Sequence, residues 1–271
     1  MNKQYILPLL SLLLLSTQVF GQQSQAGYHL FKPVPRENMR EFALDRPDIT
    51  ESAQTTDAGH FQFEGDVIKW QRNSKNEDGT LLLWSGLYKL GLNKNWDFHF
   101  AYELYNIRPS VEGVDAEDGN GALTFRIRRN LWGNDGDTKT ALGLLPYVTF
   151  LSGKPFDANE EVQFGLAFPF SFALSDKFDL GAQPQFDFLP NADGSHDLSF
   201  FQTIMIGGPV IGNLDFYSEA VVFFEKTTTK YLLNGGLIYN VSPNVKVDVA
   251  GNLGVNKESP TRVYLGLSFR I

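Results

Sequence analysis

The chain ends in the stretch VYLGLSFRI, residues 263–271, in which apolar side chains alternate with small or polar ones up to the last residue. Successive side chains of a β-strand point to opposite faces, so this stretch gives a strand one apolar and one polar face. The pattern recurs about twelve times along the chain, in segments of roughly ten residues separated by turn residues. It predicts an all-β fold, a transmembrane antiparallel up-and-down β-barrel.

Strand positions follow from the same alternation, with boundaries good to about two to four residues. The predicted strands are residues 60–71, 81–92, 96–107, 121–131, 140–151, 162–174, 179–189, 197–207, 214–225, 230–239, 245–253 and 261–271. The apolar face of the first strand changes sides between Phe63 and Ile68, and a bulge near Gly65 would explain this change.

The connections indicate how the barrel is oriented. Tight turns rich in Asn, Gly, Asp or Pro alternate with generally longer polar loops. Barrels of this kind have short periplasmic turns and longer outer loops, so twelve strands put both termini in the periplasm. A soluble β-sandwich also has alternating strands, but it would not need apolar residues across so many whole faces with aromatic bands at both ends.

The N-terminus has the pattern of a secretory signal peptide, residues 1–21. Lys3 precedes an almost wholly apolar run over residues 6–15, and the small residue Gly21 marks the expected cleavage site. A membrane anchor is the alternative, but the run is shorter than the roughly 20 residues that a spanning helix needs, and Pro8 interrupts it. Residues 22–58 are polar without sustained alternation, which predicts a periplasmic extension or plug before a barrel over residues 59–271.

Composition excludes several classes of protein. The chain has a net charge of −8 and a mean hydropathy of −0.20, yet it contains 23 Phe, which fits lipid-facing positions that alternate with polar ones. The acidic balance argues against nucleic-acid binding. The absence of cysteine excludes disulfides and thiolate metal sites, and no motif implies a metal or an organic cofactor.

Polar residues on the inward face of the strands are the candidate lumen lining. They include both charge signs, so they could tune the selectivity of a channel or fill a closed barrel with ion pairs. This predicted lining comprises Asp97, His99, Glu103, Arg126, Arg128, Asp187, Asp215, Glu219, Lys246 and Asp248. Glu103 with Arg126 or Arg128 are candidate cross-strand ion pairs, and a structural role for them is favoured over a substrate site.

A second candidate site lies in the extension, where residues 46–52 read RPDITES. One interpretation is a turn that leads into the first strand, because proline fixes φ and short polar side chains bond nearby amides. The other is a short plug with charged side chains at the periplasmic mouth of the lumen. The residues of this plug motif are Arg46, Pro47, Asp48, Thr50, Glu51 and Ser52.

The same stretch carries a family resemblance. The sequences RPDITES at 46–52 and GHFQFE at 59–64 resemble the start of a family of bacterial outer-membrane transporter-like proteins named for the meta-pathway of phenol degradation. The stretches 145–148 and 165–176 are similar to it as well, so the resemblance spans roughly residues 45–271. It implies an outer-membrane barrel that transports small compounds, aromatic ones among them.

Catalysis is not expected. The chain has only four histidines, no serine stands beside the lumen-facing His99 in an obvious register, and no nucleophile elbow occurs. The predicted function is passive passage of small solutes, aromatic or hydrophobic compounds included, across the bacterial outer membrane. A closed structural or surface-interaction barrel is the alternative, and a lipid hydrolase comes third. Expected partners are outer-membrane lipid, a small solute, and the barrel-assembly machinery at the C-terminal strand.

Overall fold

The structure is a computed structural model that describes residues 27–72, 79–108, 110, 116–135, 138–151, 161–191 and 193–271. The predicted signal peptide, residues 1–21, lies outside the described residues, as do the start of the extension and the middle of three predicted outer loops. Within the described part of the chain, no helix is both long and apolar enough to cross a membrane.

Fourteen β-segments and one short 3₁₀ helix, η1, make up the described part. They are η1 (Arg36–Asn38), β1 (Phe61–Arg72), β2 (Gly79–Asn93), β3 (Trp96–Arg108), β4 (Glu117–Gly119), β5 (Leu123–Trp132), β6 (Thr140–Phe150), β7 (Val162–Ala167), β8 (Phe170–Ala173), β9 (Asp179–Pro190), β10 (His196–Ile211), β11 (Leu214–Phe224), β12 (Thr229–Ser242), β13 (Val245–Gly254) and β14 (Thr261–Arg270).

The strands close into one barrel. Each pairs antiparallel with its neighbour along the chain, and β14 pairs with β1, where Gln62 lies opposite Arg270. The short β4 pairs only with β3, and β7 and β8 occupy one position between β6 and β9. The result is a closed antiparallel barrel of twelve strands, which confirms the predicted fold.

One predicted strand, residues 162–174, is interrupted. Residues 168 and 169 separate β7 from β8, and Pro184 lies beside them on β9. Neither Pro169 nor Pro184 has an N–H to donate, so the ladder cannot run through this point. The amides of Gly143 and Phe168 instead bond the carbonyls of Pro169 and Pro184 at 2.8 and 3.0 Å.

A bulge causes the change of apolar face in the first strand, as predicted, but it lies two residues after Gly65, where it was predicted. The register of β1 shifts between Asp66 and Ile68, so Val67 is the extra residue of the bulge. On β2 the matching irregularity is Trp84, which has a φ of 60° and stacks its ring on Phe63 at 5.5 Å between centroids.

The two faces of the barrel differ as alternation requires. On β14, Val263 and Leu265 are 52 and 51% exposed, while Tyr264 and Ser268 are buried. Large exposed apolar side chains occur along most strands, which makes a surface too apolar to face water and suited to lipid. The barrel interior holds the buried polar side chains.

Short turns and the N-terminal part of the chain share one end of the barrel, here called the turn end. The ring nitrogens of His60 bond the carbonyls of Val34 and Ile271 at 2.7 and 3.0 Å. These bonds connect the N-terminal part of the chain to its last residue. Ala58 forms a parallel bridge with Gly91, where any Cβ would overlap the backbone of Asp57. Glycine at position 91 therefore lets residues before β1 lie directly on β2 as they leave the interior.

Candidate functional site

Residues 44–58, here called the luminal segment, lie among the inward-facing side chains of the barrel. The segment has almost no regular secondary structure, so its backbone amides and carbonyls are satisfied largely by side chains of the wall. Its bonding partners are on β1, β2, β3, β5, β9, β10, β11, β13 and β14. The predicted plug motif is thus held by contacts around most of the barrel.

On one side the segment supplies carboxylates to wall cations. Asp45 lies 2.7 Å from a guanidinium nitrogen of Arg128 and 2.5 Å from Lys89 Nζ. Glu51 accepts hydrogen bonds from both terminal nitrogens of Arg126, one of them at 3.0 Å. Lys89 and Arg128 are no more than 1% exposed, so Asp45 compensates charges that have almost no access to water.

Neighbouring wall residues complete this cationic side. Asp97 bonds Arg128 at 2.8 Å and accepts the amide of Thr56 at 2.7 Å. His99 lies between Asp97 and Arg126, with ring nitrogens 2.9 and 3.1 Å from their side chains. The predicted lining residues Asp97, His99, Arg126 and Arg128 therefore form one cluster, and His99 is a hydrogen-bonded wall residue.

On β1 and β13 the polarity of the contacts is reversed. Arg46 of the segment bonds two wall carboxylates, Asp66 and Asp248, each at 2.7 Å. Gly266 faces Arg46 from β14, and a Cβ there would overlap the guanidinium group. The close fit of an arginine against a glycine of the final strand makes Arg46 a specific anchor.

The amides that follow Arg46 converge on a third wall carboxylate. Glu219 accepts the backbone N–H groups of Ile49 and Thr50 at 3.0 and 2.7 Å and the Thr50 hydroxyl at 2.6 Å. The Thr50 hydroxyl also lies 2.6 Å from that of Thr203 on β10. Charge-assisted bonds to buried amides are among the stronger hydrogen bonds in proteins.

Backbone atoms of the motif are held in the same way. The carbonyl of Pro47, which follows a cis peptide bond, accepts the hydroxyls of Tyr264 and Tyr217 at 2.5 and 3.3 Å. The amide of Glu51 donates to Gln183 at 2.8 Å, and the Ser52 carbonyl accepts Arg128 at 2.8 Å. A simple turn leading into β1 would not need these distant partners.

Burial and charge act on the acids of the segment in different ways. Burial disfavours the charged form of Asp45, but Arg128, Lys89 and Arg126 outweigh it and hold its pKa well below the usual range. Burial, together with the nearby Glu219 carboxylate, raises the pKa of Asp48 well above its usual range. The two carboxyl groups are three residues apart but meet opposite charge environments.

Two cavities adjoin the luminal segment. The larger, about 1380 Å³, opens toward the turn end and includes Lys177 and Asn244 in its lining. The smaller cavity, about 230 Å³, lies toward the other end of the barrel, where the longer loops are, and includes Lys69 and Arg262 in its lining. Arg46 and Asp48 line both cavities, so the segment separates two chambers of one interior.

The remaining predicted lining residues lie outside the bonds of the segment. Asp187 accepts the Tyr147 hydroxyl at 2.5 Å, and Asp215 accepts an amide hydrogen of Asn240 at 2.6 Å. Lys246 lies with its Nζ 5.6 Å from the centre of the Phe42 ring.

The prediction that Glu103 pairs with Arg126 or Arg128 is wrong, because neither ion pair is formed. Glu103 accepts bonds from the Asn106 side chain and the Ala122 amide at 3.1 and 3.3 Å, while both arginines face Asp45. Arg128 instead pairs with Asp97, its directly opposite neighbour on β3, and both arginines also reach Asp45 of the luminal segment. Strand alternation alone does not predict the contacts with the segment.

Several residues of the site escaped the sequence analysis. Asp66 and Glu64 on β1 bond Arg46 and the Asp45 amide, and Tyr264 on β14 bonds the Pro47 carbonyl. The alternation of β14, which places Tyr264 on the face of Arg262, was the available signal. On β1 the bulge obscured the equivalent signal for Asp66.

The fold and its interior define a membrane β-barrel whose lumen contains part of its own chain. The family model described as "Putative MetA-pathway of phenol degradation" matches residues 44–271, and the chain belongs to this family. The match begins where the luminal segment begins, so the family pattern includes segment and barrel together. A comparison with curated proteins found no match.

Solved structures with a similar fold are porins and channels. The chain is similar to the NanC porin (TM-score 0.53, 12% identity, 77% of this chain and 98% of that chain). It is also similar to an outer membrane channel from Pseudomonas putida F1 (0.52, 11%, 83% and 99%). A KdgM porin in complex with disordered oligogalacturonate is a third case (0.51, 10%, 78% and 98%). At these identities the likeness establishes the shared barrel fold.

Proposed function

We propose that this protein is an outer-membrane channel for passive diffusion of small solutes, and that the luminal segment is its plug. The observation that carries the proposal is that the luminal segment bonds wall charges of both signs. It contacts the cations Lys89, Arg126 and Arg128 on β2 and β5, and it contacts the carboxylates Asp66, Glu219 and Asp248 on β1, β11 and β13. A closed structural barrel could rely on pairs within the wall alone, such as that of Asp97 with Arg128.

Release of the segment would leave a polar lumen lined by charged groups of both signs, some of which would lose their partners. Charged side chains that line a pore tune its selectivity. The segment is held to the wall by hydrogen bonds, ion pairs and the packing of Ile49 against Phe201 and its neighbours, so its release breaks no covalent bond. Chambers on both sides of it supply the approach from each end.

The similar folds of porins and channels support the same function, and the family description supports small aromatic compounds as solutes. We propose that both termini are periplasmic, because the short turns share their end of the barrel. Outer-membrane lipid would cover the exposed apolar face, and the barrel-assembly machinery would recognise β14. His99 is engaged by Asp97 and Arg126, so no catalytic role is proposed for it.

An engineered disulfide tests whether the segment is a plug. The chain has no cysteine, so Thr50→Cys with Thr203→Cys introduces a single pair, at hydroxyls that now lie 2.6 Å apart. The matched control is Thr124→Cys with Thr149→Cys, whose hydroxyls lie 2.8 Å apart on the paired strands β5 and β6. Both pairs face the interior, but only the first joins the segment to the wall.

Planar-bilayer recordings should show at least tenfold fewer open events for the oxidised Thr50–Thr203 variant, with recovery on reduction. The wall-only control should conduct like the parent protein under both conditions. Unchanged conductance of the locked variant would show that solutes pass by another route. Silence of the parent protein, also after deletion of residues 22–58, would favour a closed structural barrel.

A further inference from the structure

We infer that the 230 Å³ chamber beyond the luminal segment is a binding site for a small organic carboxylate, with Arg262 as the residue that receives the carboxylate group. The inference rests on the proposed channel function in treating this anion as a solute of the channel. It names the chemical class that the chamber would select.

Among the charged residues that line the chamber, Arg262 has no ion pair with any described residue. Asp66 is neutralised by Arg46 at 2.7 Å and by Lys69 at 3.2 Å, and Glu64 is paired with Lys89. Arg262 donates its Nε to Gln71 at 2.7 Å. Within the described ranges it has no carboxylate within 4 Å, so its terminal nitrogens keep unused donors.

A second polar group of the chamber also lacks a partner. Asn252 lies directly opposite Arg262 in the β13–β14 register, lines the chamber and is 3% exposed. Its amide nitrogen has no hydrogen-bond partner in the described part of the protein. A buried unpartnered donor is costly, and an acceptor supplied by a ligand would relieve that cost.

Asp48 forms the floor of the chamber. Asp48 lines it from the luminal segment, with Glu219, Asp45 and Glu51 as the nearby acids and the hydroxyls of Tyr217 and Tyr264 on the adjoining wall. Burial and these acids raise the pKa of Asp48, which favours its neutral form. A neutral carboxyl group can donate a hydrogen bond to a bound carboxylate.

Most of the remaining lining is apolar, which is unusual for the inner face of this barrel. Leu87 and Ala101 pair with each other on β2 and β3 and line the chamber, together with Ile49 and the ring of Tyr264. Pockets for drug-sized ligands are about 300–1,000 Å³, so 230 Å³ suits a smaller molecule. An arginine fork beside an apolar wall fits a carboxylate carried on a compact apolar body, such as a single ring.

Calorimetric titration of the purified full chain in detergent tests the site without requiring flux. Benzoate is the probe, benzyl alcohol tests the need for charge, and acetate tests the need for an apolar body. We expect benzoate to bind at least tenfold more tightly than either. Arg262→Gln should weaken benzoate binding at least tenfold, and Arg262→Lys, which keeps the charge but loses the planar fork, should have an intermediate effect.

Lys226→Gln is the matched control, because it removes a cation that is exposed beyond the end of β11. It should leave benzoate affinity unchanged. Equal affinities of Arg262→Gln and the parent protein, or equal binding of benzyl alcohol and benzoate, would overturn the inference. Binding without conductance would retain the site and reject the channel, whereas conductance without binding would retain the channel and reject the site.

Discussion

Glu51 is the residue whose protonation bears most directly on the proposed plug. Burial raises the pKa of Glu51 to about 8, against the opposing attraction of Arg126. Once released into water, the same carboxyl group would return toward its ordinary value of 4.5. The seated segment therefore binds this proton more tightly than the released segment does.

The sign of the pH effect follows from that difference. The contribution of Glu51 to the seated state is fully present below about pH 4.5 and is lost as the pH rises through about 8. We predict that open probability in planar bilayers rises at least tenfold between pH 6 and pH 9. The raised pKa of Asp48 acts in the same direction, so the effect should shrink in Glu51→Gln and vanish when Asp48→Asn is added.

Glu37→Gln is the control for this experiment, because Glu37 is an exposed carboxylate of the N-terminal part outside the luminal segment. This variant should keep the full pH dependence. A pH response that survives in the double variant would place the titrating group elsewhere in the barrel.

Individual side chains show how far the sequence can be interpreted. Alternation predicted that Arg126, Arg128, Asp97 and Glu219 share the inward face, because a strand offers only two directions. It could not predict their bonds to the luminal segment, because that segment has no periodicity and crosses between strands that are distant in sequence. The error over Glu103 arose there.

At the scale of elements, local backbone chemistry accounts for the departures from the prediction. The predicted strand over 162–174 is divided because two prolines adjoin at one level of the sheet, a coincidence that requires the register to be known. The bulge of β1 was predictable from the phase of its apolar residues. The path of the luminal segment was not, because its fold depends on the wall around it.

The packing of β14 against the luminal segment gives a prediction at this scale. Gly266→Val would place side-chain atoms where the Arg46 guanidinium lies and should displace it from Asp66 and Asp248. Removing one partner of a buried ion pair costs roughly 3–5 kcal/mol, so we expect a clear rise in open probability. Arg46→Gln should produce the same rise.

The two changes act on one contact, so the double variant should open no more often than either single variant. Gly235→Val is the matched control, because a Cβ there meets nothing closer than 3.5 Å. Its open probability should equal that of the parent protein. Fully additive effects of Gly266→Val and Arg46→Gln would show that Gly266 acts on the barrel and not through Arg46.

At the scale of the whole molecule, the exposed face and the interior obey opposite rules. The outside is apolar from β1 to β14, while the inside holds buried charges that depend on the luminal segment for compensation. Sequence periodicity determines the first property completely and the second only in part. A barrel of this kind can therefore be recognised from its sequence, but the arrangement of its lumen cannot be described from the sequence alone.

The apolar face predicts how the barrel responds to charge. Leu265 is 51% exposed near the middle of β14, so Leu265→Arg would place a cation against the centre of the membrane. Such a change costs about 2–4 kcal/mol at the bilayer midplane and about 0–1 near the interfaces. Val255→Arg is the control, because Val255 is 58% exposed just beyond the end of β13.

Refolding into lipid vesicles, followed by electrophoretic mobility and protease protection, should show reduced insertion for Leu265→Arg and parent-like insertion for Val255→Arg. Equal insertion of the two variants would mean that lipid does not cover this face.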